Sequence, residues 1–338
     1  MSELKTRQKS VLRCIVQSYI ETASPVGSNL LVKKHRLDCS PATIRNEMAN
    51  LVAMGYIKQP HTSAGRVPTD EGYRFYVDCL MKRERLSPRE RQEIRGRMEK
   101  ARGDVSLILE EASRILGKIS KELGVVFTPW VSWGIFDRLE LIGLSQRKVL
   151  VVIHVRSRLV KTVILEVESD LEQGDLGKTA AVLNERFSGL TLEEIQRTIS
   201  DRIRDVRRGN PALVRCVAES ASDLFNFSEP LEVHTCGTQN ILAQPEFSDV
   251  SMLERILTLI DDRRDLVHLF QRKVGETGVA IGRENKDKRL NSFTVIAACY
   301  KRGRDVGNLG VIGPTRMRYR KILPLVDYVA RTMSQFLS

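Results

Sequence analysis

Long apolar runs are missing from this 338-residue chain. Stretches such as Val149 to Ile153 are of strand length, and nothing approaches the roughly 18 residues of a membrane span. The opening MSELKTRQKS has no apolar core of the kind a secretory signal needs. The expectation is a cytoplasmic protein with no membrane association. The six cysteines (Cys14, Cys39, Cys79, Cys216, Cys236 and Cys299) contain no CxxC pair, so they are expected to be reduced and structural. The five histidines (His35, His61, His154, His234 and His268) show no metal-ligand spacing, and neither a metal nor a cofactor is expected. His154, inside an apolar run, reads as a core histidine. There is no P-loop, no GxSxG and no HExxH, and the acidic residues are dispersed. The glycine-spaced GRDVGNLG at 303–310 does not sit at a strand-to-helix turn of a βαβ unit, which argues against a dinucleotide site. An enzyme is not expected.

What is present is ordinary in bulk and uneven in charge. Hydrophobic residues make up 42% and charged residues 28%, the balance of a globular protein with room for two or three domains. The formal net charge is +12 and the pI about 9.5. Residues 1–69 hold ten Lys and Arg against four acids, a net +6 and half of the excess. A local surplus of this kind is the footprint of a nucleic-acid binder, although a chain basic throughout weakens the inference.

The most informative segment is 40–74, SPATIRNEMANLVAMGYIKQPHTSAGRVPTDEGYR. Ser40 suits an N-cap and Pro41 the first helical position, where its missing N–H costs nothing. Ile44, Met48, Leu51 and Val52 recur as the buried stripe of an amphipathic helix. The opposite face holds Ala42, Asn46, Ala49, Asn50 and Ala53, flanked by Thr43 and Arg45, without Lys or Glu. Alanines let a backbone approach a surface closely, Asn pairs bidentately with adenine, and Arg pairs with guanine or phosphate. An ordinary surface helix has similar features, so context decides. Gly55 suits the helix end. Tyr56–Gln59 and Arg66–Pro68 read as a β-ribbon, Pro68 confining it to an edge, with a turn over Pro60–Gly65. Lys58, His61, Thr62, Ser63 and Arg66 then reach phosphate oxygens. Upstream lie a helix patterned by Val11, Leu12, Ile15, Val16, Tyr19 and Ile20, and a second over Val26–His35 with Leu30 and Leu31 buried. Helix, helix, recognition helix and wing is the winged helix-turn-helix order. Candidate DNA-binding residues are therefore Ser40, Ala42, Thr43, Arg45, Asn46, Ala49, Asn50, Lys58, His61, Thr62, Ser63 and Arg66.

Residues 82–103, charged with both signs, read as a solvated linker helix. Residues 104–123 form an amphipathic helix. Strands are expected at 138–144, 148–155, 160–167, 231–236, 277–282, 293–300 and 308–313. Helices are expected through much of 175–228, at 250–272 and at 318–337. This order describes an α+β domain interrupted by an insert at about 170–240. The stripe Leu192, Ile195, Ile199, Ile203 and Val206 fits either the insert's own core or a dimer surface. A two-fold dimer of such heads would read an inverted repeat.

PVGS at 25–28, SPATIRNEM at 40–48, PHTSAGRVPTDEGYR at 60–74, GTQNILAQPEF at 237–247 and GVIGPTRMRY at 310–319 resemble, in order and across essentially the whole chain, the bacterial heat-inducible transcription repressor HrcA family. The resemblance implies an N-terminal winged helix (1–80), a charged linker helix (81–103), a GAF-like α+β domain (104–169 and 241–338) and an inserted dimerisation domain (170–240). It implies a homodimeric repressor of chaperone operons of the groE and dnaK type, bound to an inverted-repeat operator (CIRCE). Activity would depend on the GroE chaperonin and be lost on heat stress. The alternative is a small-molecule-responsive winged-helix/GAF regulator whose 310–319 segment lines a pocket. Against that, Gly313-Pro314 suits a turn, and Met317 and Tyr319 suit the core.

Overall fold

The computed structural model describes residues 4–35, 39–61, 64–129, 134–156, 160–167, 173–225, 232–270, 277–285, 287–303 and 305–338, the side chains of 263, 264 and 268 excepted. Two compact units divide the chain: Met1–Phe127 with Val233–Lys301 and Gly307–Ser338, and Thr128–Glu232 with Arg302–Val306.

The first unit opens with α1 (Thr6–Thr22), which buries Val11, Leu12, Ile15, Val16 and Ile20. The next helix, α2 (Ser28–His35), starts later than expected. Val26 is fully buried and its backbone bridges Arg66, so it belongs to an extended segment instead of a helix. Leu31 is buried as expected, but Leu30 is 41% exposed. Then come α3 (Pro41–Ala53), β1 (Ile57–Lys58) and β2 (Val67–Pro68), the two strands pairing antiparallel as Ile57↔Pro68 and Lys58↔Val67. Thr69 caps α4 (Asp70–Phe75), accepting from the Gly72 N–H at 3.1 Å, and one π turn, Tyr76–Leu80, prolongs that helix.

The charged segment that follows is not a solvated linker. Its helix α5 (Pro88–Lys100) is opened by a Ser87/Glu90 capping box and buries Ile94 and Met98, with Leu86 and Ala101 beside its ends. Full burial of side chains this size contributes about 1.5–3 kcal/mol each. The charges pair outward with neighbouring helices: Glu90 with Lys321 at 2.8 Å, Glu93 with Lys118 at 2.8 Å and Arg97 with Glu111 at 3.2 Å. After α6 (Val105–Ser120) comes β3 (Leu123–Phe127), fully buried. Sequence periodicity hides β3, because its short LGVVF run reads as the end of the preceding helix.

The second unit begins with an antiparallel sheet of β4 (Phe136–Gly143), β5 (Lys148–Val155) and β6 (Val160–Glu166). Val149, Val151, Ile153 and Val155 point to one buried face of β5. That face needs cover, and α7 (Gln173–Phe187), α8 (Leu192–Ile203), α9 (Pro211–Glu219) and α10 (Ala221–Leu224) supply it. These strands were expected in the 104–169 segment; their shared core with the helices draws the boundary at Thr128 instead. Phe136, Phe187 and Phe225 meet at ring distances of 5.5–6.3 Å in that core. The α8 stripe resolves toward its own core, since Leu192, Ile195 and Ile199 are buried there. Asn184 on α7 replaces a strand neighbour for Leu139, accepting from its N–H at 2.6 Å and donating to its carbonyl at 2.9 Å. His154 is not in the core: it lies on the other sheet face, 3.0 Å from Glu140.

The first unit resumes with β7 (Val233–Cys236), α11 (Thr238–Leu242), α12 (Val250–Asp261) and α13 (Arg263–Phe270). The single helix expected over 250–272 breaks where Asp262 turns extended and its side chain accepts from the Asp265 N–H at 3.2 Å. Strands β8 (Gly278–Ile281), β9 (Phe293–Arg302) and β10 (Asp305–Pro314) complete a sheet ordered β7-β3-β10-β9-β8. The closing α14 (Tyr319–Leu337) contains Pro324, which has no N–H to give the Arg320 carbonyl. That carbonyl accepts from the Glu84 N–H instead, at 2.9 Å. Met317 and Tyr319 are fully buried. No helix among the described residues is long and apolar enough to cross a membrane.

Candidate nucleic-acid interface

Helix α3 starts where the sequence says it should. Ser40 accepts from the Thr43 N–H at 3.1 Å, and Pro41 occupies the first turn. Ile44, Met48 and Leu51 are buried, which fixes the rotation of the helix. Ala42, Arg45, Asn46, Ala49, Asn50 and Ala53 are consequently exposed together. Val52 departs from the expected stripe: it is 36% exposed, at the margin of the buried arc. Thr43 is half-buried, with its hydroxyl 3.0 Å from that of Ser40. Asn50 donates weakly to Glu47 at 3.4 Å, and Glu47 lies 4.0 Å from Arg7.

The helix ends by a tight closure. Gly55 has φ +82°, a conformation that penalises a Cβ, and its N–H reaches Val52 while the Tyr56 N–H reaches Leu51, both at 3.0 Å. The chain reverses at once into β1, which places exposed Lys58 directly after α3. Arg45 and Lys58 form no ion pair among the described residues, so both charges face solvent. His61 is exposed at the turn. Thr62 and Ser63 lie outside the described residues.

Two features of the ribbon were not legible in the sequence. Arg66 and Val26 exchange both backbone hydrogen bonds at 2.9 Å, which adds the Pro25–Val26 segment as a third extended piece. Gly65 makes this possible: a Cβ there would lie 2.6 Å from the Val26 carbonyl carbon and oxygen. Arg66 itself is half-buried, donating to the Ala64 carbonyl at 3.3 Å, with its Nε buried and unpartnered. The second is the role of TDEGYR. Arg74 donates to Glu284 at 2.8 Å and to the Val279 carbonyl at 2.8 Å, and Asp70 accepts from the Arg283 N–H at 3.1 Å. Tyr73 is buried with its ring 6.0 Å from that of Tyr319. This half of the segment fastens the helices to the β8 end of the sheet.

Residues 106–323 match the family model for the HrcA protein C-terminal domain. The chain belongs to the HrcA family. That match begins after the three-helix head, but full-length HrcA relatives extend across it. The chain is 38% identical over 349 residues to the heat-inducible transcription repressor HrcA of Chlorobium phaeobacteroides (strain BS1), covering 99% of each chain. It is 39% identical over 350 residues to that of Chlorobaculum tepidum, covering 99% of this chain and 98% of the relative. A crystal structure described only as a hypothetical protein is 25% identical, covers 99% of both chains and superposes with a TM-score of 0.61. The likeness to HrcA proteins thus includes both the α3–β2 surface and the sheet that anchors it.

Proposed function

We propose that this chain is a DNA-binding transcriptional repressor of heat-shock genes. One observation carries the reading: the uncovered alanine- and asparagine-rich face of α3, beside Arg45 and Lys58, in a chain whose full-length relatives are named heat-inducible transcription repressors. In this reading α1–α3 and the ribbon form a winged helix-turn-helix. Ser40, Ala42 and Ala49 allow α3 to lie close in the major groove, Thr43, Arg45, Asn46 and Asn50 read base edges, and Lys58, His61, Thr62, Ser63 and Arg66 clamp the backbone. The remainder of the first unit is a GAF-like platform, and the second unit is a dimerisation insert. The homodimer binds an inverted-repeat operator of the CIRCE type ahead of groE and dnaK operons. It depends on the GroE chaperonin to stay active, as the resemblance implies.

Titration of operator and random duplexes tests the DNA contacts. Asn46→Ala is expected to cost about 1–3 kcal/mol at one base step of the operator. Equal loss on both duplexes would reject a base-reading role. Arg66→Ala is expected to weaken every sequence alike and to lower the salt slope by about 1. For thermal control, heating the pure protein should lower operator binding and added chaperonin should restore it. Binding that stays constant through the heat-shock range would refute that dependence.

A further inference from the structure

A cavity of about 470 Å³ opens between the end of α1, the α6–β3 turn, α11 and the start of α14. That volume is in the range of small-molecule sites. The cations on its wall are not equivalent. Arg316 is committed, donating to Glu246 at 2.5 and 3.0 Å and to the Ile20 carbonyl at 2.9 Å. Lys321 is committed to Glu90 at 2.8 Å. The side chains of Lys121 and Arg318 are exposed and make no hydrogen bond or ion pair among the described residues. The one acid free to neutralise them from within the wall is Glu122, since Glu21 is paired with Lys34 at 2.5 Å. Glu122 is only 5% exposed, and its Oε2 accepts from the Gln244 amide at 2.7 Å. Burial pushes its carboxyl up to about 8, against the opposing Gln244 hydrogen bond and the nearby Arg316 and Arg318; Glu246 pushes it the same way as burial. At neutral pH Glu122 is therefore an uncharged acid, and the cationic wall is not cancelled.

We propose that this cavity binds a small oxyanion-bearing molecule, a carboxylate or a phosphate or sulfate ester, held by Lys121 and Arg318 with the Glu122 carboxyl group as a further contact. A neutral carboxylic acid donates a hydrogen bond where a carboxylate would repel the anion. Ile20 and Glu21 also line the space, and Arg316 ties the α1 carbonyl of Ile20 to the same wall. The site makes no use of the α3 surface, and its test needs no DNA.

Calorimetry with sulfate, whose charge does not change between pH 7 and pH 9, tests the site on the full chain at constant ionic strength. Wild-type protein is expected to bind sulfate saturably at pH 7 and about tenfold more weakly at pH 9, as Glu122 ionises. Lys121→Ala/Arg318→Ala, at two exposed positions and with an unchanged circular dichroism spectrum, is expected to weaken binding at least about tenfold. Glu122→Gln is expected to bind equally at both pH values. Absence of saturable binding by wild type, or the same affinity in the double variant, overturns the site. A wild-type affinity independent of pH overturns the part assigned to Glu122.

Discussion

Glu122 is the only buried acidic residue among the described residues, and its titration bears on stability as well as on the cavity. Its folded pKa is raised from 4.5 to about 8, chiefly by burial. Above pH 4.5 the unfolded chain releases this proton while the folded chain keeps it, so the unfolded state binds fewer protons and stability falls as pH rises toward 8. Below pH 4.5 the effect vanishes. Glu122→Gln keeps the shape without the titration. Urea denaturation is expected to find it more stable than wild type by roughly 3 kcal/mol at pH 7, with the gain shrinking toward pH 5. A gain independent of pH would mean that packing, not ionisation, is responsible. Nothing local in the sequence marks Glu122; it sits in the unremarkable SKE before β3. The exposed residues of α3 were, by contrast, legible one by one, because helical periodicity assigns every position to a face once Ile44, Met48 and Leu51 are buried.

At the scale of elements, the ribbon is held by backbone more than by side chains. Its two strands pair over only two positions each, and the Val26–Arg66 bridge adds two further backbone hydrogen bonds. Gly65→Ala forces a Cβ into the Val26 carbonyl and is expected to destabilise the protein by about 1–3 kcal/mol, the range of overpacked sites. Because the strain falls on the ribbon, hydrogen exchange should show faster opening at Lys58 and Arg66 than in α1. Uniform acceleration over all elements would contradict a local role for this bridge. Elements were legible to different degrees for identifiable reasons. The termini of α3 carry their own chemistry in Ser40, Pro41 and Gly55. Segment α5 misleads because its high charge reads as solvation, whereas Ile94 and Met98 are fully buried and the charges pair with α6 and α14. Strand β3 is missed because a five-residue buried run has no distinguishing period.

At the scale of the whole molecule, the proposed dimerisation would determine whether one head or two meet an operator. The sheet of the second unit leaves an apolar row on its outer face, where Ile142, Leu150 and Ile164 lie in register across the three strands. Ile142 is 46% and Ile164 is 59% exposed. This exposed row is the face we assign to the proposed homodimer, now that the α8 stripe is accounted for by its own core. The double variant Ile142→Lys/Ile164→Lys is expected to sediment as a monomer with an unchanged circular dichroism spectrum, and to lose more affinity for the inverted repeat than for a half-site. A variant that remains dimeric would move the interface elsewhere.

What the sequence by itself determined is local and periodic. The amphipathic helices, the capped α3 with its asparagine and alanine face, the alternation of β5 and the concentration of positive charge near the N-terminus all follow from side-chain order, because 3.6- and 2-residue periods and cap chemistry act over a few residues. The motif resemblance added the family. Only the tertiary structure decided which segments share a core. It assigned β4–β6 to the helices of the second unit, turned the charged 82–103 stretch into a packed helix, set Val26 beside Arg66 and brought Lys121, Glu122 and Arg318 around one cavity. These pairings join positions as far apart as Glu122 and Arg318, and the free energy that selects among them is burial and hydrogen bonding summed over the whole chain, which no local pattern encodes.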